Sequence, residues 1–234
     1  MNKKIKKFFI GLVLLPLTAA TLFRLPGTVL VLKSQSQSLA FLFTGALIYI
    51  LFEGIFNRPM RTYVFGHELT HALASIAFGG KIHEFHVSEK GGKVSLTKTN
   101  FFVALAPYCF PIYTFFIFLL YWVFRKFHPF PSLETVFLIS VGFSLAFHSS
   151  LTFFALRQEQ PDLKKTGVFF SLVFILLMNG WVLVLISKAL FWGEISLRGF
   201  VRDTVWTQFA IWKWVYAKAM ALGPWLVHRS GKTG

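Results

Sequence analysis

Long apolar runs, separated by short clusters of Lys, Arg, Gly and Pro, dominate this chain. The first run extends from Phe8 to about Leu32, behind Lys3, Lys4, Lys6 and Lys7. Its Leu17-Thr18-Ala19-Ala20 segment has the small-residue end of a secretory signal. Apolar residues resume at once, so a retained first helix is expected, with Arg24 and Pro26 predicting a kink or an early end. The second run is Leu39 to Phe56, charged only at Glu53. Asn57-Arg58-Pro59 reads as a helix break and a new cap, with Pro suited to a first helical turn. A third, moderately apolar helix is predicted over about Arg61 to Phe78. From Gly79 to Asn100 the period changes. Two short alternating stretches, Lys81–Val87 and Lys93–Leu96, punctuated by Gly79-Gly80 and Gly91-Gly92, predict a β-hairpin. Apolar runs return at about Phe101–Phe124, Leu133–Leu156 and Val168–Trp192, the first kinked by Pro107 and Pro111. A polar loop, Arg157 to Thr166, carries Gln160-Pro161-Asp162. From about Gly193 the texture is mixed, with Trp206, Trp212 and Trp214 interleaved with Arg and Lys, which predicts an interfacial amphipathic helix.

Six such runs of about 20 residues each fit membrane-crossing helices. The expected fold is an all-α integral membrane protein. It is a polytopic bundle of about six transmembrane helices, with a short β-hairpin after the third and an interfacial C-terminal helix. Residues 1–192 form the helical domain and 193–234 the amphipathic C-terminal segment. Composition agrees: of 234 residues 55% are hydrophobic and only 14% charged, against about 25% charged in soluble domains. This excludes a disordered chain, a coiled coil and an ordinary soluble enzyme. The net charge of +15 sits largely at the ends of apolar runs, which points to lipid headgroups rather than nucleic acid. The start, the Arg58/Arg61 turn, the Arg125/Lys126 turn and the basic tail are expected on one side, with the N-terminus cytoplasmic. Compact size and the Lys-rich start suit a bacterial cytoplasmic membrane. The single cysteine, Cys109, excludes an internal disulfide framework.

Chemistry concentrates in His67-Glu68-Leu69-Thr70-His71, an H-E-x-x-H. Histidines at i and i+4 share one helix face, so both imidazoles can point at one metal ion, with zinc the chemical preference. The intervening Glu68 is placed to take a proton from a water that the metal activates, and later to deliver it to a leaving amine. A catalytic zinc needs three protein ligands and one open position, so a third ligand must come from elsewhere. His, Glu and His inside an apolar helix are costly to hold in a bilayer without a purpose.

In Gly66-His67-Glu68-Leu69-Thr70-His71-Ala72, the Gly79-Gly80 and hairpin that follow, and the later Pro161-Asp162, the chain resembles the site-2 protease group of intramembrane zinc metallopeptidases. The resemblance spans roughly Arg61 to Gly167, and the H-E-x-x-H is its specific part. It departs from the group's pattern at Thr70, commonly Gly, and at Leu163, where the group usually has Asp-Gly. The resemblance implies that His67, His71 and a distant Asp bind zinc and that Glu68 is the general base. The partner substrates it implies are membrane proteins or membrane-bound peptides, cut in or near their transmembrane segments.

Two residues are candidates for the third ligand. Asp162 has the resemblance and a carboxylate that suits zinc. If the third, fourth and fifth helices all span, Asp162 must reach His71 from the far face, through a loop lining a water-filled cavity. His148 lies inside the fifth run, roughly 12 Å from that face at 1.5 Å per residue, and nearly meets the depth of His71; it can otherwise serve beside the metal or the oxyanion. The hairpin is expected to clamp an extended substrate by strand addition. Asn179 is expected as helix glue or a substrate contact. Two further readings stay open: a non-catalytic zinc-binding membrane protein, and a transporter that uses intramembrane His and Glu for an ion path.

Overall fold

The computed structural model describes residues 3–88 and 91–230, with side chains described for 4–88 and 91–221. The hairpin tip and the last residues of the 193–234 segment lie outside them. The chain folds almost wholly into helices: α1 (Lys3–Val31), α2 (Ser36–Phe56), α3 (Met60–Ala77), α4 (Phe101–Cys109), α5 (Ile112–Phe127), α6 (Leu133–Leu156), α7 (Pro161–Thr166), α8 (Val168–Leu190) and α9 (Leu197–Ser230). One antiparallel hairpin, β1 (Ile82–Ser88) and β2 (Gly91–Leu96), follows α3 as expected.

Pairs of helices set the direction of the chain. α1 runs alongside α8, with Gly11 against Phe169 and Gly180 against Thr21. α2 runs alongside α6, with Tyr49 against Phe147 and Glu53 hydrogen-bonded by Ser150. α6 and α8 are antiparallel, since Phe137, Leu138 and Val141 share a core with Val182 and Ile186. The chain therefore reverses between α1 and α2, through a 3-10 turn at Leu32–Gln35 whose Leu32 packs on Phe191 and Ile195. The α2–α6 contact is close because it is made through glycine. A Cβ on Gly142 would stand 1.9 Å from the carbonyl oxygen of Leu42, and one on Gly45 1.9 Å from that of Ile139. Small residues let helix backbones meet in this way.

Among the described residues three helical stretches are long and apolar enough to cross a membrane: Lys4–Phe56, which includes the reversal, Leu133–Leu156 and Val168–Leu190. The α4–α5 pair makes a fourth if it counts as one span, bent by 67°. The six separate spanning helices read from the apolar runs are not all met. Proline accounts for the bend, because Pro111 has no N–H with which to continue α4. α3 does not qualify as a span, since Arg61, His67, Glu68 and His71 occupy its 18 residues.

Strand and helix ends gather at one end of the bundle. His71 on α3 reaches Val103 on α4, and Ser75 reaches the carbonyl of Lys98. α3 thus descends beside α4 instead of crossing, and the loop after α6 returns to the same end. The basic flanks divide between the ends. Lys7 borders the same cavity as Asp162, whereas Arg125 and Lys126 close α5 beside the start of α6. They are not at one end, because α3 does not span, so the fourth run starts beside Ser75 and Lys98 at the end that holds the cavity and closes at the other, beside the start of α6.

Candidate metal centre

His67 and His71 stand one turn apart on α3, and α7 brings Asp162 against both. Pro161 opens α7 at its first position, where a missing N–H costs nothing and the fixed φ is already helical. Gly167, at φ +101°, closes it and turns the chain into α8. His67 Nε2 lies 3.9 Å and His71 Nε2 3.5 Å from Asp162 Oδ2. The three donors all fall within 4.8 Å of one another. A tetrahedral zinc with bonds of about 2.0–2.1 Å needs its donors about 3.3 Å apart. His71 and Asp162 stand near that spacing and His67 somewhat beyond it, so the three could hold a metal ion.

The opposite ring edges explain why the two Nε2 atoms face inward. His71 Nδ1 is 2.8 Å from the carbonyl oxygen of Val103, so it carries a proton, and Nε2 is the atom turned toward Asp162. His67 Nδ1 is 3.4 Å from the hydroxyl of Tyr63. Such partners on the far nitrogen fix the orientation and tautomer of metal-binding histidines. Asp162 is held in turn by Tyr108, whose hydroxyl donates to Gln160 Oε1 at 3.2 Å and approaches Asp162 Oδ2 at 3.5 Å. The Tyr108 ring stands edge-on to His67, 5.1 Å between centres. Burial alone would raise the Asp162 carboxyl, but the hydrogen bonds and charge of His67 and His71 outweigh it and hold the group well below the ordinary carboxylate range. Asp162 is thus ionised, as a ligand must be.

Glu68 borders the same cavity as the two histidines, 9% exposed, and the hairpin lies on it. A Cβ on Gly92 would stand 2.5 Å from Glu68 Cγ and 2.9 Å from its Oε1. Only glycine lets β2 come this close, so Gly92 has a structural duty that its reading as turn punctuation missed. The backbone N–H of Val94 acts on the same carboxylate. His67, Glu68, His71 and Asp162 border one cavity of about 960 Å³, with β2, the start of α4 and the loop before α7 as its other walls.

His148 is not in this group. It lines a separate cavity of about 20 Å³ behind His67, near Tyr63 and Ser144. That volume holds about one water. The His148 Nε2 is buried without a well-formed hydrogen bond. The neighbouring Asn179 spends its amide on the carbonyls of Tyr108 and Ile175, the helix-glue role. Glu53 pairs with Arg58 at 2.8 Å, and Cys109 is fully buried. Tyr63 was legible as the i−4 neighbour of His67. Tyr108 and the Val103 carbonyl had no signal of their own, since their contacts arise from the docking of α4 on α3. No family model, no curated protein and no solved structure matches the chain.

Proposed function

We propose that this protein is an intramembrane zinc metalloprotease of the site-2 protease kind, cutting peptide bonds in or near transmembrane segments of partner proteins. The observation that carries the reading is the convergence of Asp162, about 90 residues beyond the motif in the sequence, on two histidines whose far nitrogens are already held. His67, His71 and Asp162 are the residues that would hold zinc, and Glu68 stands beside them. Bound there, zinc supplies Lewis acidity and makes water a better nucleophile at neutral pH. Glu68 takes the proton of the attacking water at its carboxylate and returns it to the leaving amine. Substrate must be extended where it is cut, because a helix hides its carbonyls behind internal hydrogen bonds. β2 lines the cavity beside Glu68, and a two-stranded sheet leaves an edge where such a segment can add as a strand.

A closed, non-catalytic zinc site needs a fourth protein donor, and the group found among the described residues has three. The deciding experiment is Glu68→Gln in the full chain in detergent, with zinc content and cleavage of transmembrane substrates read side by side. The expected result is retained zinc and a loss of turnover of about 10²-fold or more. Unchanged cleavage, or altered ion flux with no cleavage in the parent protein, would overturn the reading.

A further inference from the structure

The charges around the large cavity are unevenly distributed. Among the described residues its only acidic lining residues are Glu68 and Asp162, and both belong to the metal corner. The other charged walls are cationic and come from three separate elements: Lys7 on α1, Lys93 on β2 and Lys165 on α7. A divalent ion held by Asp162 beside Glu68 would offset those two carboxylates and leave Lys93 and Lys165 as cationic walls. The neighbourhood of the two outer lysines makes the point sharper. Lys164 is paired with Glu159 at 2.6 Å, while Lys165, next in sequence, makes no ion pair among the described residues. Lys93 has His86 opposite it across the hairpin, not an acid, and Glu84, the acid described on β1, takes its hydrogen bond from Ser95.

From this placement we infer that the cavity selects peptide segments bearing carboxylate side chains close to the bond presented to the metal corner, with Lys93 and Lys165 as the residues that read them. The inference rests on the protease reading for its substrate but names a preference that reading does not contain. Lys93 and Lys165 line the same cavity from the hairpin and from α7, so an extended segment lying along β2 in that cavity meets both walls. A lipid headgroup meets basic residues at a membrane surface, whereas these two border the walls that also hold Glu68 and Asp162.

The test uses binding, so that it does not depend on turnover. Zinc-loaded full-length Glu68→Gln protein in phosphatidylcholine nanodiscs is titrated with a rhodamine-labelled peptide of alternating alanine and aspartate. Its asparagine isostere is titrated in parallel, and anisotropy is read. The expected preference for the aspartate peptide is about tenfold, the scale of two partly screened ion pairs. Lys93→Gln and Lys165→Gln should each remove about threefold of it. The double Lys93→Glu/Lys165→Glu variant should abolish or reverse it. Zinc content and thermal unfolding verify that each variant is folded. Lys213→Glu/Lys218→Glu, on α9, is the control for the overall basic charge. Equal affinity for the two peptides, or an equal loss in the α9 control, would overturn the inference. So would disappearance of the preference in nanodiscs containing phosphatidylglycerol, which would assign the lysines to lipid headgroups. Cleavage by the parent protein is measured separately, so a failed protease reading remains distinguishable from a failed preference.

Discussion

Replacing Asp162 by Asn removes one charge and the proposed third zinc ligand while preserving shape. The amide oxygen can still accept from Tyr108, so α7 keeps its seat. His67 and His71 are held from behind by Tyr63 and Val103, independently of Asp162, so both imidazoles stay in place. The loss should therefore be that of one ligand, not of the whole centre. Four-ligand zinc peptides bind with about 10–16 kcal/mol, which assigns about 3 kcal/mol to each ligand. A three-ligand centre then binds zinc with about 9 kcal/mol, a sub-micromolar Kd, and Asp162→Asn weakens it about 100-fold. His148→Ala, which changes a residue facing a different cavity, should alter affinity by less than about threefold. Competition of the detergent-purified full chain with a chromophoric chelator at fixed pH measures all three. Wild-type affinity in Asp162→Asn would refute the ligand assignment, and a comparable loss in His148→Ala would move the third ligand into the bundle.

Two further outcomes follow from the same geometry. Tyr63→Phe removes the partner of His67 Nδ1, and at 3.4 Å this is a long contact, so zinc affinity should fall by about tenfold, the lower end for such orienting partners; unchanged affinity would show that α3 alone orients the ring. Gly142→Ala places a Cβ against the Leu42 carbonyl, forces α2 from α6, and should destabilise the fold by about 3 kcal/mol. Thermal unfolding in detergent reads this, and an unshifted transition would mean that the two helices are not packed through glycine.

The elements were legible where the chain obeys a period, and the site only in part. Leu133–Leu156 is both the apolar run and the helix, and the hairpin falls between Gly79 and Asn100, because burial and β alternation leave plain patterns. Periodicity does not say which runs cross. The run from Phe101 to Phe124 reads as one helix with kinks, yet Pro111 splits it into a short α4 and a separate α5. What decides the site, however, is α3, which does not qualify as a span, whereas α4 and α5 together still count as one. Counting every run as a full crossing puts the start of α3 and the loop after α6 on opposite faces, and makes the buried His148 the natural partner for His71. With α3 descending beside a short α4, the Arg157–Thr166 loop meets His71 at one end of the bundle, and Asp162 needs no path from the far side. The motif histidines are local and could be read from spacing alone. Their proposed third donor depends on whether α3 crosses, a consequence that is topological and leaves no mark at Asp162 itself. In a polytopic chain, a ligand set that spans several apolar runs is thus only as legible as the count of crossings between its members.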